Sequence, residues 1–280
     1  MIRVFYNFTR VESGFWLNAL LFWVIVLIAT PIWIWGFGEE VFPFMTIVGV
    51  LSQFTAAFFA LRMGWTGKRI FWSLLLVLII TLGVEYLGSK TGFPFGKYHY
   101  TPALQPQVAG VPIIIPLAWF MMLFPAWAIA ETILSALRKR LSSSYWIVFA
   151  FFSGLVFTSW DLYLDPQMVG RDLWQWDQPG GYFGIPWLNF LGWWLTATII
   201  TLVIRPENLP RRPLMIIYTL TWAFQVIGLG LFGGQPAPAL VGFVVMGIFV
   251  FWGWLLEDKR CNLSSGCWSN IFAAQSRFRY

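Results

Sequence analysis

Glu85, Glu131 and Asp161 lie inside apolar runs, and Asp165 sits just past the end of one. Asp161 and Asp165 lie four residues apart in TSWDLYLDPQM, and Glu85 closes the run TLGVEYLG. On a continuing helix, side chains four apart share a face, and Trp160, Tyr163 and Leu164 wall this pair with apolar surface. Stacked acids of this kind can hold one proton between them. One then serves as general acid while a partner carboxylate handles water. Pro166 disfavours helical backbone at the residue before it, so the helix is expected to end there with both acids at its mouth.

The elements that must position these acids are membrane helices. The chain has 280 residues, of which 59% are hydrophobic and 11% charged, and its mean hydropathy is +0.70. That composition lies far outside the soluble class. Runs of about 20 apolar residues, enough to cross a hydrocarbon core, predict eight spans: Phe15–Trp35, Val41–Leu61, Ile70–Leu87, Val111–Leu137, Tyr145–Tyr163, Ile185–Ile204, Leu214–Phe232 and Pro238–Leu256. The last two are joined by the short uncharged GGQPAP, which reads as a helical hairpin. The fold class expected is an all-α, polytopic transmembrane bundle. It forms a single transmembrane domain over 1–280, with a short cytoplasmic tail at 257–280 and the first span retained as an anchor.

Eight spans divide the Lys and Arg residues fifteen to three, with only Lys90, Lys97 and Arg171 on the poorer side. The positive-inside rule then places both termini in the cytoplasm, in a cytoplasmic (plasma) membrane. This distribution accounts for the formal charge of +6 without nucleic acid as a partner. The polar connections Gly88–Gly110 and Leu164–Gly184 fall together on the other side, with Glu39 and Glu40. Ionisable groups inside spans cost about 2.5–3.5 kcal/mol at the centre and usually face the protein interior, where they are used. Glu131, two turns before Arg138, reads as an ion-pair or packing residue. Cys261 and Cys267 lack metal-site spacing and read as reduced thiols on the tail.

The connection from Glu85 to Pro116 contains the lone histidine, His99, between Tyr98 and Tyr100. His99 is a proton-shuttle candidate, though a lone loop histidine is more often a hydrogen-bonded surface or lid residue, and the tyrosines are donors or walls. The second connection runs into WQWDQPGGYFGIPWLNFLGWW, which holds Trp174, Trp176, Tyr182, Asn189, Trp193 and Trp194. With Trp119 and Trp160 these suit an aromatic cavity for a long flat polyene, and ring faces stabilise a carbocation by roughly 0.5–2 kcal/mol each. Asn189 is a polar group inside a span, placed to bond between helices or to hold water. An acid-ended span, an aromatic loop and a Val-Pro or Ile-Pro re-entry occur twice, a weak internal echo. Phosphate-binding loops, HExxH, GxSxG, DDxxD and dinucleotide fingerprints are absent from the sequence, so a cofactor-free reaction, or none, is expected.

Taken together, EYLG, TGFPFGKYHYT, GVPIIIPLAW, SWDLYLDPQM and GYFGIPWLNFLGWW resemble the carotenoid biosynthesis membrane family that includes the carotenoid 1',2'-hydratases and bisanhydrobacterioruberin hydratase. The resemblance covers about Glu85 to Trp194. It implies addition of water across the terminal C1–C2 double bond of an acyclic ψ end group, on an acyclic or monocyclic carotenoid such as lycopene or γ-carotene. Asp161 is then expected as the acid and Glu85 or Asp165 as the group that handles water. Other prenyl-lipid isomerisation or cyclisation, or a non-enzymatic carotenoid or lipid carrier, are the alternatives.

Overall fold

The computed structural model describes the backbone of residues 2–263 and the side chains of residues 13–259. The side chain of Cys261, all of Cys267 and the tail beyond Leu263 lie outside the described residues. Helices α1 (Ile2–Phe37), α2 (Phe42–Arg62), α3 (Gly67–Thr91), α4 (Ile114–Leu134), the short α5 (Arg138–Leu141), α6 (Tyr145–Val169), α7 (Trp187–Ile204), α8 (Arg211–Ile227) and α9 (Pro236–Leu263) follow one another. A π-helical turn, Gly228–Phe232, extends α8. Seven helical stretches are long and apolar enough to cross a membrane. One of them, Ile114–Val169, has 56 residues, roughly 80 Å if straight. It cannot be one crossing: Ser142 takes φ 43° and α6 folds back against α4. The eight apolar segments expected from the sequence are therefore all helices.

Helix α4 is the centre of the bundle. Its residues from Trp119 to Ala130 are all buried, as expected of a helix that is apolar around its whole circumference. Helices α2, α3, α6, α8 and α9 pack around it. The outer faces of α1 and α3 carry exposed apolar side chains such as Phe22, Ile25 and Ile79, the surface a protein presents to lipid.

Connections segregate to two ends. At the basic end, Trp65 Nε1 donates to the Glu207 carbonyl at 2.8 Å, Arg138 pairs with Glu207 at 3.3 Å and Arg212 with Glu257 at 3.1 Å. At the opposite end, strands β1 (Tyr98–Tyr100) and β4 (Trp174–Trp176) pair antiparallel, and β2 (Gln107–Val108) pairs with β3 (Val111–Pro112). The β1–β4 ribbon ties the two long polar connections to each other. Its register is Tyr98 to Trp176, His99 to Gln175 and Tyr100 to Trp174. Alternate residues of a strand face opposite sides, so the four aromatic residues turn inward and His99 and Gln175 turn out.

The first connection is held down by Phe95, which lies between α3 and α7. A Cβ added at Gly88 would come within 2.6 Å of the Phe95 ring, and one at Gly192 within 2.6 Å of the ring and 2.7 Å of the Pro94 carbonyl oxygen. The backbone oxygen cannot step aside without moving the whole connection, so Gly192 has to lack a side chain.

One expectation is corrected. The helix carrying Asp161 and Asp165 does not stop before Pro166; α6 runs on to Val169 with Pro166 inside it. A proline there has no N–H for the carbonyl four residues earlier, that of Leu162. The Tyr182 hydroxyl, from the second connection, donates to that carbonyl at 3.0 Å instead.

Candidate active site

The inward face of the ribbon meets the ends of α3, α4, α6 and α7, and there the three carboxylates converge. Glu85 is 3% exposed, Asp161 0%, Asp165 2%. Glu85 accepts three hydrogen bonds. Tyr98 and Tyr100 hydroxyls both donate to Oε2, the latter at 2.9 Å, and the Trp119 indole N–H donates to Oε1 at 3.1 Å. Such a ring of donors suits a carboxylate that acts as acceptor. Burial, and then the charge of Glu85, hold both phenols well above the usual tyrosine range, so both remain O–H donors at neutral pH.

Asp161 and Asp165 are joined through Asn189. Its amide nitrogen donates to Asp161 Oδ2 at 2.9 Å and also to Asp165 Oδ2. Trp174 Nε1 donates to Asp165 Oδ1 at 3.1 Å. Asp161 Oδ1 has no hydrogen-bond partner among the described residues. The sequence gives the four-residue spacing; the structure adds that one amide bridges both acids.

Glu85 and Asp165 line one small cavity of about 30 Å³, together with Tyr98, Tyr100, Trp119, Trp174, Trp176, Asn189 and Trp193. That is the volume of roughly one water molecule. Asp161 does not line it and lies one turn of α6 deeper. Beside it runs a partly open apolar cavity of about 710 Å³, lined by α1, α2, α4, α6 and the π-extended α8. Ile115, Ala118, Leu164 and Trp174 line both. The larger cavity is of a size that holds a substantial organic ligand, and only a thin shared wall separates it from the carboxylates.

A sequence profile described as "Carotenoid biosynthesis protein" matches residues 44–250. The chain belongs to this family. It is also similar to the bisanhydrobacterioruberin hydratase of Haloarcula japonica, with 28% identity over 132 residues, which are 47% of this chain and 43% of that protein. The match thus spans less than half the length of that relative. No solved structure matches.

Most of the aromatic candidates in this carotenoid biosynthesis protein gather here. Trp119 stacks on Trp193 at 4.5 Å, and Trp160 meets Trp193 edge-on at 5.9 Å while lining the apolar cavity. Trp176 donates its indole N–H to the Phe95 carbonyl at 3.0 Å. Three candidates lie elsewhere. His99 has a side chain 62% exposed and stands 3.5 Å from Asp177, a carboxyl held below its usual range first by its hydrogen bond from Lys97. Trp194 faces away and donates to the Phe151 carbonyl at 3.0 Å. Tyr182 lines neither cavity, and its hydroxyl serves Leu162. Residues that the sequence does not single out are Phe95, Phe157, which stacks on Trp193 and meets Trp119 at a tilt, and the whole contribution of α1, α2 and α8.

Tyr182 therefore acts on the acids through the backbone. Its hydroxyl fixes the carbonyl of Leu162, the residue after Asp161 and three before Asp165. Tyr182→Phe should lower turnover by about tenfold, the worth of one buried hydrogen bond. Replacing Pro166 with Ala returns an N–H to the helix, so Tyr182→Phe/Pro166→Ala should recover most of the loss. If the double variant is as impaired as the single one, the hydroxyl has some other role.

Proposed function

We propose that this protein is a carotenoid hydratase that adds water across the terminal C1–C2 double bond of an acyclic ψ end group. The observation that carries this reading is the water-sized cavity lined by Glu85 and Asp165, set against an apolar cavity of about 710 Å³, large enough to take a polyene end. Family membership supports the carotenoid, and the hydratase of Haloarcula japonica supports the reaction class.

The reaction balances with the groups present. Asp165, carrying the proton that the Asp161–Asp165 pair shares, delivers it to C2 and leaves a tertiary cation at C1. Trp174, which lines both cavities, is the ring placed to shelter that cation. Water held between the carboxylates bonds to C1 through oxygen, and its proton passes to Glu85, giving a tertiary alcohol. Water then carries the proton from Glu85 back to the aspartate pair. The steps as written require water and carboxyl groups alone. Asp165 takes the donor's role in place of Asp161 because it is the aspartate that reaches the cavity, with Asp161 as the proton's second seat.

Expression in a lycopene-producing bacterium tests the reading. Pigments heavier by one water per modified end are expected. Pigments of unchanged mass but altered double-bond pattern would replace hydration with isomerisation, and unaltered pigments would remove the enzymatic reading.

The ribbon end is proposed to face away from the cytoplasm, since among the described residues all the basic ones except Lys90, Lys97 and Arg171 stand at the other end. A membrane-impermeant thiol reagent should label a cysteine at Lys97, whose side chain is 67% exposed, in intact cells, and should leave one at Lys139 unlabelled. The reverse pattern would invert the topology.

A further inference from the structure

A third cavity, about 490 Å³, lies at the ribbon end beside the opening of the apolar one. Glu39, Glu40, Arg171 and Gln235 line it together with Phe42 and Phe232. Phe42, Arg171 and Phe232 also line the apolar cavity, so Arg171 stands at the junction of a polar and an apolar space. The Arg171 side chain is only 13% exposed. Its Nε donates to Glu39 at 3.0 Å, and its guanidinium lies 4.1 Å over the Phe42 ring. These contacts fix the group in place, and its one hydrogen bond to another described residue uses the Nε–H. Gln235 is seated where a side chain at residue 170 would be: a Cβ on Gly170 would fall 2.1 Å from the Gln235 amide nitrogen. Two carboxylates against one guanidinium disfavour an anionic guest. Donors from Arg171 and Gln235, acceptors from Glu39 and Glu40, and two aromatic faces suit a neutral group that both gives and accepts hydrogen bonds.

We propose that this chamber is a binding subsite for the hydroxyl-bearing end of a long apolar chain whose remainder occupies the apolar cavity. Resting on the hydratase reading, it receives the tertiary alcohol after hydration. The reaction turns an apolar end into a polar one, and the chamber gives that end a polar seat near the membrane surface. A neutral glycolipid presents the same hydroxyl chemistry and is the second source to be distinguished.

The test uses ligands that cannot react, so it is independent of turnover. The wild-type protein in lipid nanodiscs is titrated with a 1-hydroxy-1,2-dihydro acyclic carotenoid and with its 1,2-dihydro parent, which differ by one oxygen, and tryptophan quenching is read. The hydroxylated ligand should bind about tenfold more tightly, as one new hydrogen bond in a partly buried chamber allows. Gln235→Ala, which leaves the Arg171–Glu39 pair intact, should erase most of that preference without weakening the parent's binding. Arg171→Lys should do the same. Displacement of the hydroxylated ligand by a galactosyl diacylglycerol, with the same dependence on Gln235, also supports the subsite and assigns its occupant to lipid. Equal affinity for the two carotenoids, a preference that survives both substitutions, or stronger displacement by a phosphatidic acid overturns the proposal. If pigment analysis shows no hydration yet the hydroxyl preference persists, the hydratase reading fails and the subsite stands.

Discussion

Asp165→Asn should reduce hydration by about 10²- to 10⁴-fold, the range associated with loss of a general acid, while the protein stays folded in the membrane. The residue is 2% exposed and accepts from two donors, Trp174 Nε1 and Asn189 Nδ2. An amide can accept from one of them and must turn its own NH2 toward the other, so one hydrogen bond is lost, at a cost of roughly 1 to 3 kcal/mol. Activity and thermal stability of the purified variant should therefore be measured together, because the activity loss exceeds what that penalty explains. Asp161→Asn is the comparison. Asp161 lies behind Asp165, away from the small cavity, and its replacement should cost less. A larger loss for Asp161→Asn would return the donor's role to Asp161, and full activity in Asp165→Asn would end the acid–base assignment.

Glu85→Gln should be of comparable severity, for a different reason. The carboxylate offers acceptors to Tyr98, Tyr100 and Trp119. A glutamine offers one oxygen, and its NH2 group confronts at least one of those donors. On the proposed mechanism the cavity then loses both its proton acceptor and the ring of bonds that fixes it. Tyr98→Phe, Tyr100→Phe and Trp119→Phe form a graded series. Each removes one donor to the carboxylate, worth about 1.5–3 kcal/mol for a hydrogen bond to a charged group, and each should slow the reaction less than Glu85→Gln. Activity of Glu85→Gln within a few-fold of wild type, or a tyrosine variant slower than it, would show that Glu85 is a scaffold for the phenols and no more.

The acids were legible because charge inside an apolar run has few explanations, and helix spacing alone paired Asp161 with Asp165. The helix count was equally plain from run length. Other features could not be read locally. Pro166 looked like a terminator because the donor that compensates for it, Tyr182, lies in the next connection. His99 reads from its loop setting as a surface or lid residue, with a proton shuttle as the alternative; strand alternation turns it outward, and that alternation depends on a pairing between segments too short and too proline-rich to read as strands. The large cavity left no mark either. Leu27, Met45 and Phe224 line it, yet an apolar side chain facing a cavity is written with the same letters as one facing lipid. Only Gly88 and Gly192 carried a readable hint of Phe95, as positions where α3 and α7 lack side chains.

The ribbon also imposes an order on biosynthesis. Glu85, Tyr98 and Tyr100 are synthesised well before Trp174 and Trp176, their neighbours across the strand pair, and at about 5–20 residues per second the interval is roughly 4–16 s. During that interval the first part of the proposed catalytic centre is in the membrane without the rest. Trp119 and then the aspartate pair join Glu85 as synthesis proceeds, while the indole of Trp174 and the amide of Asn189 that hold the aspartates are still missing. The proposed centre is therefore complete only after the second connection and the start of α7 have arrived, and a chain stalled before Trp174 would hold the three carboxylates without the groups that orient the aspartates and without the α8 wall of the apolar cavity.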